Sequence, residues 1–179
     1  MRARVVVLSL AVFCVSGGGA TLERLSLSEM IEQSTSVIRG RVAGSFAAFH
    51  GPVIYTHFKV QVLERWKGEA SGEVEVAIPG GLALGLRQSF AGAPGLAEGA
   101  EYVLFLWTGK GGITQVIGLS QGVFDVRRDA AGEPVVTRNA STETMLDSAG
   151  RVVEDAPLQL RLPDLGARIS RTLARPVKQ

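Results

Sequence analysis

Apolar and polar residues alternate along much of this chain, a period that is typical of β-strands with one buried face. The clearest stretch is residues 54–62, IYTHFKVQV, whose even positions are apolar or threonine. Residues 36–44 and 73–78 alternate in the same way, the first with a face of small residues that allows a sharp bend. Residues 101–107, EYVLFLW, are nearly all apolar, which predicts a strand buried on both faces. These stretches together predict a mostly β, antiparallel domain.

Breaks in the alternation predict where the strands end. The sequence FHGP at residues 49–52 predicts a turn, and the loss of alternation at residues 63–66 predicts a bulge. The sequence KGG at residues 110–112 predicts a hairpin turn. Further strands are predicted at residues 113–118, at residues 122–127 and, as a short edge, at residues 134–138.

Two stretches change to the period of an α-helix. Ser26 and Glu29 have the spacing of a capping box, which predicts a short helix that runs to about Gln33. From about residue 164 to residue 175, apolar residues form one stripe and arginines another, which predicts a C-terminal amphipathic helix. The composition between Asn139 and this helix is rich in small and polar residues. We therefore expect residues 139–179 to form a loosely structured tail that ends in a helix.

The first twenty residues have the layout of a secretory signal peptide. Two arginines precede an apolar run at residues 5–15, and small residues follow at residues 16–20. A bilayer-spanning helix needs about 20 apolar residues, so the run is too short to be a membrane anchor. We predict cleavage after Ala20 and a secreted or periplasmic protein. The single cysteine, Cys14, lies in the run, so the mature chain would contain none.

The charge of the mature chain argues against nucleic acid as a partner. The full chain has 19 Lys and Arg residues against 17 Asp and Glu residues. Loss of Arg2 and Arg4 with the signal peptide would leave the two signs equal. A neutral domain lacks the basic surface that binds phosphate backbones.

One sequence matches a catalytic motif. Residues 118–122, GLSQG, fit G-x-S-x-G, the nucleophile elbow of α/β-hydrolases. The elbow requires a helix after the serine, whereas Ser120 is followed by VFDV, which predicts a strand. No histidine follows Ser120 either. We therefore interpret the motif as a glycine-bounded turn.

Metal binding is not indicated by the histidines. The chain has two, His50 and His57, and they lack the spacing of a zinc site. We interpret His57 as a surface residue on the polar face of its strand. No cofactor or metal is predicted.

Residues 79–99, PGGLALGLRQSFAGAPGLAEG, are the most unusual stretch of the chain. A phosphate-binding loop leads into a helix N-terminus, whereas this one leads into the buried strand at residues 101–107, so a phosphate cradle is excluded. Loops longer than about 12–15 residues are usually functional or mobile. Two interpretations stay open: the loop binds a partner, or its glycines and prolines only set the turns of a long connection.

The order of these features resembles a widespread group of uncharacterised bacterial secreted proteins. The resemblance is carried by SVIRGRV, IYTHFKVQVLERWKG, EVEVAIPGG, GLAEGAEYVLFLW and VIGLSQGVFDV. Over about residues 25–127 the order is more distantly similar to netrin-like modules and tissue inhibitors of metalloproteases. That similarity implies a five-stranded OB-type β-barrel with helices beside it. The inhibitors bind the protease zinc through an N-terminal cysteine, whereas this mature chain would begin at Thr21, so no inhibitory residue is carried over.

We therefore predict a small OB-like antiparallel barrel over residues 21–138 that acts as a non-catalytic binding module. Its expected partner is an extracytoplasmic protein, and its oligomeric state is left open. An alternative is a protease inhibitor that acts by loop insertion, and a third hypothesis is a hydrolase that uses Ser120. The candidate contact residues lie on the strand face and in the glycine-rich loop: Tyr55, His57, Leu84, Arg87, Gln88 and Phe90.

Overall fold

The computed structural model describes residues 20–69 and 71–175 of the chain. Apart from Ala20, the predicted signal peptide lies outside the described residues. The elements in chain order are β1 (Thr21–Glu23), α1 (Leu27–Gln33), β2 (Ser36–His50), β3 (Val53–Lys67), β4 (Glu73–Pro79), β5 (Gly81–Ala83), β6 (Leu86–Gln88), β7 (Glu101–Thr108), β8 (Thr114–Val116), a 3-10 helix (Leu119–Gly122), β9 (Val123–Arg128), β10 (Pro134–Arg138), β11 (Thr144–Leu146), β12 (Val152–Val153), β13 (Leu158–Arg161) and α2 (Leu162–Leu173).

One large antiparallel sheet carries most of the fold, as the alternating sequence predicts. Its strand order is β13-β10-β9-β7-β2-β3-β4, and β8 pairs with the end of β7 that β9 leaves unpaired. Strands β2 and β3 form a ribbon of two 15-residue strands, the longest in the described chain. The glycine-rich segment adds a separate hairpin, β5–β6, that pairs only with itself.

Gly40 allows β2 and β3 to approach each other closely. A Cβ atom at this position would lie 2.4 Å from Cγ1 of Val60 and 2.9 Å from the carbonyl oxygen of Gln61. Real Cβ atoms do not approach other atoms so closely, so only glycine fits here. Arg39 pairs with Glu64 and Gly40 with Val62, so Leu63 is the extra residue of the bulge that the sequence predicts.

The central part of the sheet, at β7, is buried on both faces. Leu104 and Leu106 point into a core formed by the curled part of the sheet, together with Ile38, Phe58, Val60, Val76, Ile78 and Val116. Val103 and Phe105 point to the opposite side, where the two helices cover the sheet. The prediction that residues 101–107 are buried on both faces is confirmed for the five residues from Tyr102 to Leu106.

Strands β4 and β8 approach each other without pairing. Their Cα atoms come within 8 Å, yet within residues 71–175 no backbone hydrogen bond joins them. The fold is therefore mostly β and antiparallel, with an open seam between β4 and β8. The closed barrel of the sequence prediction is not seen.

Residues 139–161 differ from the loosely structured tail that their composition suggested. They contain β11, β12 and β13. Strand β11 pairs in parallel with β1, and β13 pairs with β10, so β10 is not an edge strand. These strands have two to four residues each, which is too short for an alternating pattern to be recognised in the sequence. Their partners are distant in sequence or are themselves short.

Both predicted helices are present. The Oγ of Ser26 accepts a hydrogen bond from the backbone N–H of Glu29, and the Glu29 carboxylate accepts one from the N–H of Ser26, which confirms the capping box. Helix α2 begins at Leu162, slightly earlier than predicted, with Pro163 in its first turn. Its residues Leu165 and Ile169 are fully buried. Within the described residues, neither helix has the length and apolar character to cross a membrane.

Candidate functional site

The glycine-rich segment forms the β5–β6 hairpin, whose tip carries a leucine in an unfavourable conformation. Leu84 and Gly85 have φ angles of 49° and 78°, the left-handed pair of a two-residue hairpin turn. Asn, Asp and Gly are favoured there, whereas the left-handed conformation destabilises a leucine by about 1–2 kcal/mol. Leu84 is 92% exposed, so no contact within the described chain explains it.

Two more leucines are exposed beside the tip. Leu82 is 55% exposed and Leu86 is 61% exposed. Leu82 pairs with Arg87 and Ala83 with Leu86, so the two leucines lie on opposite faces of the hairpin. Neither was predicted as a contact residue, although the LALGL pattern at residues 82–86 has the alternation of a strand. The hairpin thus presents apolar side chains at its tip and on both faces.

The base of this hairpin is fixed to the β2–β3 ribbon by hydrogen bonds. The side-chain oxygen of Gln88 accepts a bond from the N–H of Ile54 at 2.7 Å, and its nitrogen donates to the carbonyl of Pro52 at 3.0 Å. The hydroxyl of Thr56 donates to the carbonyl of Gly80 at 2.8 Å. Gln88 was predicted as a contact residue, but its amide is used within the protein to hold the hairpin in place.

Gly81 brings the hairpin close to the inner face of the ribbon. A Cβ atom here would lie 2.6 Å from the Thr56 hydroxyl oxygen, and the φ angle of 138° is one that other residues rarely adopt. Both observations require glycine. Gly81 therefore serves a close packing contact between the hairpin and the ribbon.

The remaining predicted residues lie in two places. Tyr55 and His57 are on the outer face of β3, as their odd positions predict, because Ile54, Phe58 and Val60 of the same strand are buried on the inner side. Leu84, Arg87 and Phe90 belong to the hairpin segment, which packs on that inner side. The structure therefore does not join the six candidates into one surface.

On the outer face, aromatic rings form a small cluster. The rings of Phe46 and His57 stack with centroids 4.9 Å apart, and Tyr55 lies 6.4 Å from His57. The Nδ1 atom of His57 is 2.9 Å from the carboxylate of Glu75. His57 already has a stacking partner and a hydrogen-bond partner, so we assign it a structural role on this face.

A cavity of about 270 Å³ lies at the seam between β4 and β8. It is lined mainly by apolar residues, among them Ala77, Pro79, Trp107 and Leu119. Trp107 is 47% exposed, and Leu119 has a φ angle of 54°, again left-handed. Pro79 lacks an N–H, which makes this strand edge a poor template for another strand.

The environment of Ser120 differs from that of a hydrolase nucleophile. It lies in the 3-10 helix Leu119–Gly122, and β9 begins directly afterwards. The predicted strand after the motif is confirmed, so the helix of a nucleophile elbow is missing here.

Within residues 20–69 and 71–175, no group of three His, Cys, Asp or Glu residues is placed to hold a metal ion.

A polar cavity of about 460 Å³ lies beside the start of β7. The Glu101 carboxylate accepts hydrogen bonds from Arg39, at 2.7 Å, and from Arg41. Burial raises the pKa of Glu101, but these bonds and the charges of the two guanidiniums outweigh it and hold the pKa below its ordinary value. Glu101 is therefore ionised and paired, an arrangement that suits structure rather than acid catalysis.

Comparison with protein-family models, with curated proteins and with solved structures gave no match. The resemblance to netrin-like modules stays a hypothesis. Function is therefore inferred from the geometry of the exposed hairpin, where apolar exposure, backbone strain and hydrogen-bonded anchoring coincide.

Proposed function

We propose that the protein is a secreted, non-catalytic binding module whose β5–β6 hairpin inserts into an apolar recess of an extracytoplasmic protein. The observation that carries this proposal is Leu84, an almost fully exposed leucine held in a left-handed turn. Backbone strain at a residue whose side chain makes no contact within the fold is typical of residues at functional sites.

The chemistry of the hairpin favours an apolar recess over a charged surface. Arg87 is the one charged residue between residues 79 and 97. Fully burying a leucine side chain contributes about 1.5–3 kcal/mol, so burial of the three exposed leucines would favour a complex. The hydrogen bonds of Gln88 and Thr56 hold the base of the hairpin before binding, which lowers the ordering cost.

The strand order is compatible with the OB-type architecture that the resemblance implies. An OB fold is a five-stranded, partly open barrel whose loops often bind ligands. The five strands would be β2, β3, β4, β7 and β8, with the open junction at the seam between β4 and β8. The β5–β6 hairpin would then lie in the connection between the third and fourth barrel strands.

The test compares two triple variants of the mature chain, residues 21–179, as bait in the producing cell's envelope and medium. Leu82, Leu84 and Leu86 are replaced by serine in the first. A matched control replaces three exposed apolar residues elsewhere, Leu63, Val152 and Leu173. We expect a partner that binds the native chain and the control, and that binds the hairpin variant at least about tenfold more weakly, because each buried leucine contributes more than 1.4 kcal/mol.

A single substitution separates binding from stability. Asn tolerates the left-handed turn, so Leu84→Asn should raise the free energy of unfolding by up to about 1 kcal/mol while weakening the complex. The measurements are denaturant unfolding and titration of the purified partner. A partner bound equally well by the native chain and by both hairpin variants would refute the proposal.

Protease inhibition by loop insertion is the second candidate, because the same hairpin offers a rigid tip with an apolar side chain at its apex. The native protein would then slow one or more secreted metalloproteases, and the triple serine variant would not. No inhibition across such a panel would exclude this candidate and leave the binding module in place.

A further inference from the structure

Another recess, lined largely by polar and basic residues, lies between helices α1 and α2. It has a volume of about 260 Å³, and liquid water takes about 30 Å³ per molecule, so it holds a group larger than one or two waters. The residues that matter chemically are Ser26, Ser28, Arg168, Arg171, Thr172 and Arg175. Guanidinium and hydroxyl groups thus line one concave site.

The three arginines lie at the C-terminal end of α2. Arg168 and Arg171 are three residues apart on one face of the helix, and Arg175 lies two residues beyond its last residue, Leu173. All three line the same recess. The opposite stripe, with Leu165 and Ile169, is buried against the sheet. The arginines are exposed, and none of them forms a salt bridge with any carboxylate of residues 20–69 or 71–175.

The carboxylate at the start of α1 does not neutralise this charge. Glu29 accepts a hydrogen bond from the N–H of Ser26 at 2.7 Å, within the capping box. The Ser26 hydroxyl likewise accepts a bond from the N–H of Glu29 at 3.2 Å. Both α1 groups are satisfied locally. The Nε of Arg171 donates to the carbonyl of Ala167 at 3.2 Å within its own helix, and no carboxylate of the described residues pairs with the three guanidiniums.

We infer that this recess binds an oxyanion of the phosphate class, either as a small molecule or as a lipid headgroup. Like charges on neighbouring turns of a helix repel, and an anion between them removes that cost. Arginine presents a planar fork of N–H donors that matches tetrahedral oxyanions, and hydroxyl groups such as those of Ser28 and Thr172 add donors. This site is independent of the hairpin and uses none of its residues.

The test measures binding of inorganic phosphate to the full mature chain by calorimetry, and in parallel its co-sedimentation with vesicles of phosphatidic acid and phosphatidylcholine. Arg168, Arg171 and Arg175 are replaced by glutamine in the site variant. The control variant carries the same charge change through Arg24, Lys110 and Arg127, which are exposed elsewhere. We expect the site variant to lose at least about tenfold in affinity and the control to keep it, because hydrogen bonds to charged groups contribute about 1.5–3 kcal/mol each.

Ser28→Glu provides a second variant that keeps all three arginines. A carboxylate in the first turn of α1 suits the helix dipole, so this variant should fold at least as well as the native chain while blocking the recess. If the native chain binds free phosphate and both variants do not, the ligand is a small-molecule oxyanion. If the native chain binds the vesicles and both variants do not, the ligand is a lipid headgroup. Absence of both kinds of binding in the native chain, or binding that the site variant retains, overturns the inference.

Discussion

Gln121 shows how one side chain can connect two distant parts of the chain. It is fully buried in the 3-10 helix, and its side-chain oxygen accepts a hydrogen bond from the N–H of Leu25 at 2.8 Å. Its nitrogen donates to the carbonyl of Glu23 at 2.9 Å. The amide therefore holds the segment between β1 and α1 against the turn that precedes β9. Any residue with a shorter or apolar side chain would leave both backbone groups unpaired.

We predict that Gln121→Ala lowers the free energy of unfolding by about 2–4 kcal/mol, because two partly buried backbone groups lose their partners. Gln61→Ala is the matched control, since Gln61 is exposed on β3 and its substitution should change stability by less than about 0.5 kcal/mol. Urea denaturation of both variants measures the difference. Equal midpoints for the two would show that the Gln121 amide contributes nothing.

At the scale of elements, one buried ion pair fixes the connection between β10 and β13. Arg138 donates two hydrogen bonds to the carboxylate of Asp155, at 2.9 and 3.0 Å, and the N–H of Ser141 donates a third at 2.8 Å. The Asp155 side chain is 1% exposed and that of Arg138 is 10% exposed. The Nε atom of Arg138 is buried without a partner. The pair thus links the end of β10 to the segment that precedes β13.

The pair should make stability depend on pH. Burial raises the pKa of Asp155, but the hydrogen bonds from Arg138 and Ser141 and the guanidinium charge outweigh it and lower the pKa. The unfolded pKa of an aspartate is about 3.9. A carboxyl group whose pKa is lower in the folded state stabilises the fold at pH values above the unfolded pKa. This contribution is lost as the pH falls through the pKa of the folded state.

We therefore predict that the native chain loses stability below about pH 4 and that Asp155→Asn flattens this part of the profile. The variant should also be less stable at pH 7 by about 3–5 kcal/mol, because a buried guanidinium loses its counter-ion. Urea midpoints between pH 2 and 7 provide the test, with Glu154→Gln, exposed and adjacent, as control. A variant profile as steep as the native one would assign the acid sensitivity to other carboxylates.

At the scale of the whole molecule, the seam between β4 and β8 is the feature that distinguishes this fold from a closed barrel. The bonds from Gly80 N–H to Ile54 and from Val62 N–H to Gly72 mark the two ends of the β3–β4 ladder. Donors alternate along an antiparallel strand, so Val74 and Val76 donate to β3. The N–H groups of Glu75 and Ala77 therefore point toward the seam, where they have no strand partner.

Hydrogen exchange should report this alternation directly. After correction for intrinsic rates, we predict that the amides of Glu75 and Ala77 exchange at least about tenfold faster than those of Val74 and Val76, because unpaired amides are protected less. Two-dimensional NMR of the native protein in deuterated buffer resolves the four amides. The amide of Leu104 in the centre of β7 serves as a protected reference. Equal protection of all four would mean that β4 and β8 pair and that the barrel closes.

Local patterns explain which parts of the fold the sequence could predict. The capping box and the alternation in β3 involve residues a few positions apart, and both are confirmed. The β5–β6 hairpin was not predicted, because its turn has Leu-Gly where Asn-Gly would be the usual signal. The candidate residues were placed on the right strand face at Tyr55 and His57, but Gln88 could be assigned its anchoring role only once its partners were known.

Pairings between distant segments could not be predicted. Strand β1 has three residues and pairs in parallel with β11, and neither carries a pattern long enough to be read as a strand. The open seam likewise depends on how far β8 curls toward β4, which is decided by the packing of the whole core. Short strands and sheet closure are tertiary properties, so single-sequence periodicity does not contain them.

The parallel pairing of β1 with β11 has a consequence for the order in which the molecule assembles. Thr21 and Thr144 are neighbours in space although about 120 residues separate them along the chain. The β2–β3 ribbon joins adjacent segments and can form as soon as residue 67 has been made, whereas β1 has no partner until most of the chain exists. We therefore expect β1 to be among the last strands to pair, and its edge to stay accessible while the β2–β3 ribbon forms.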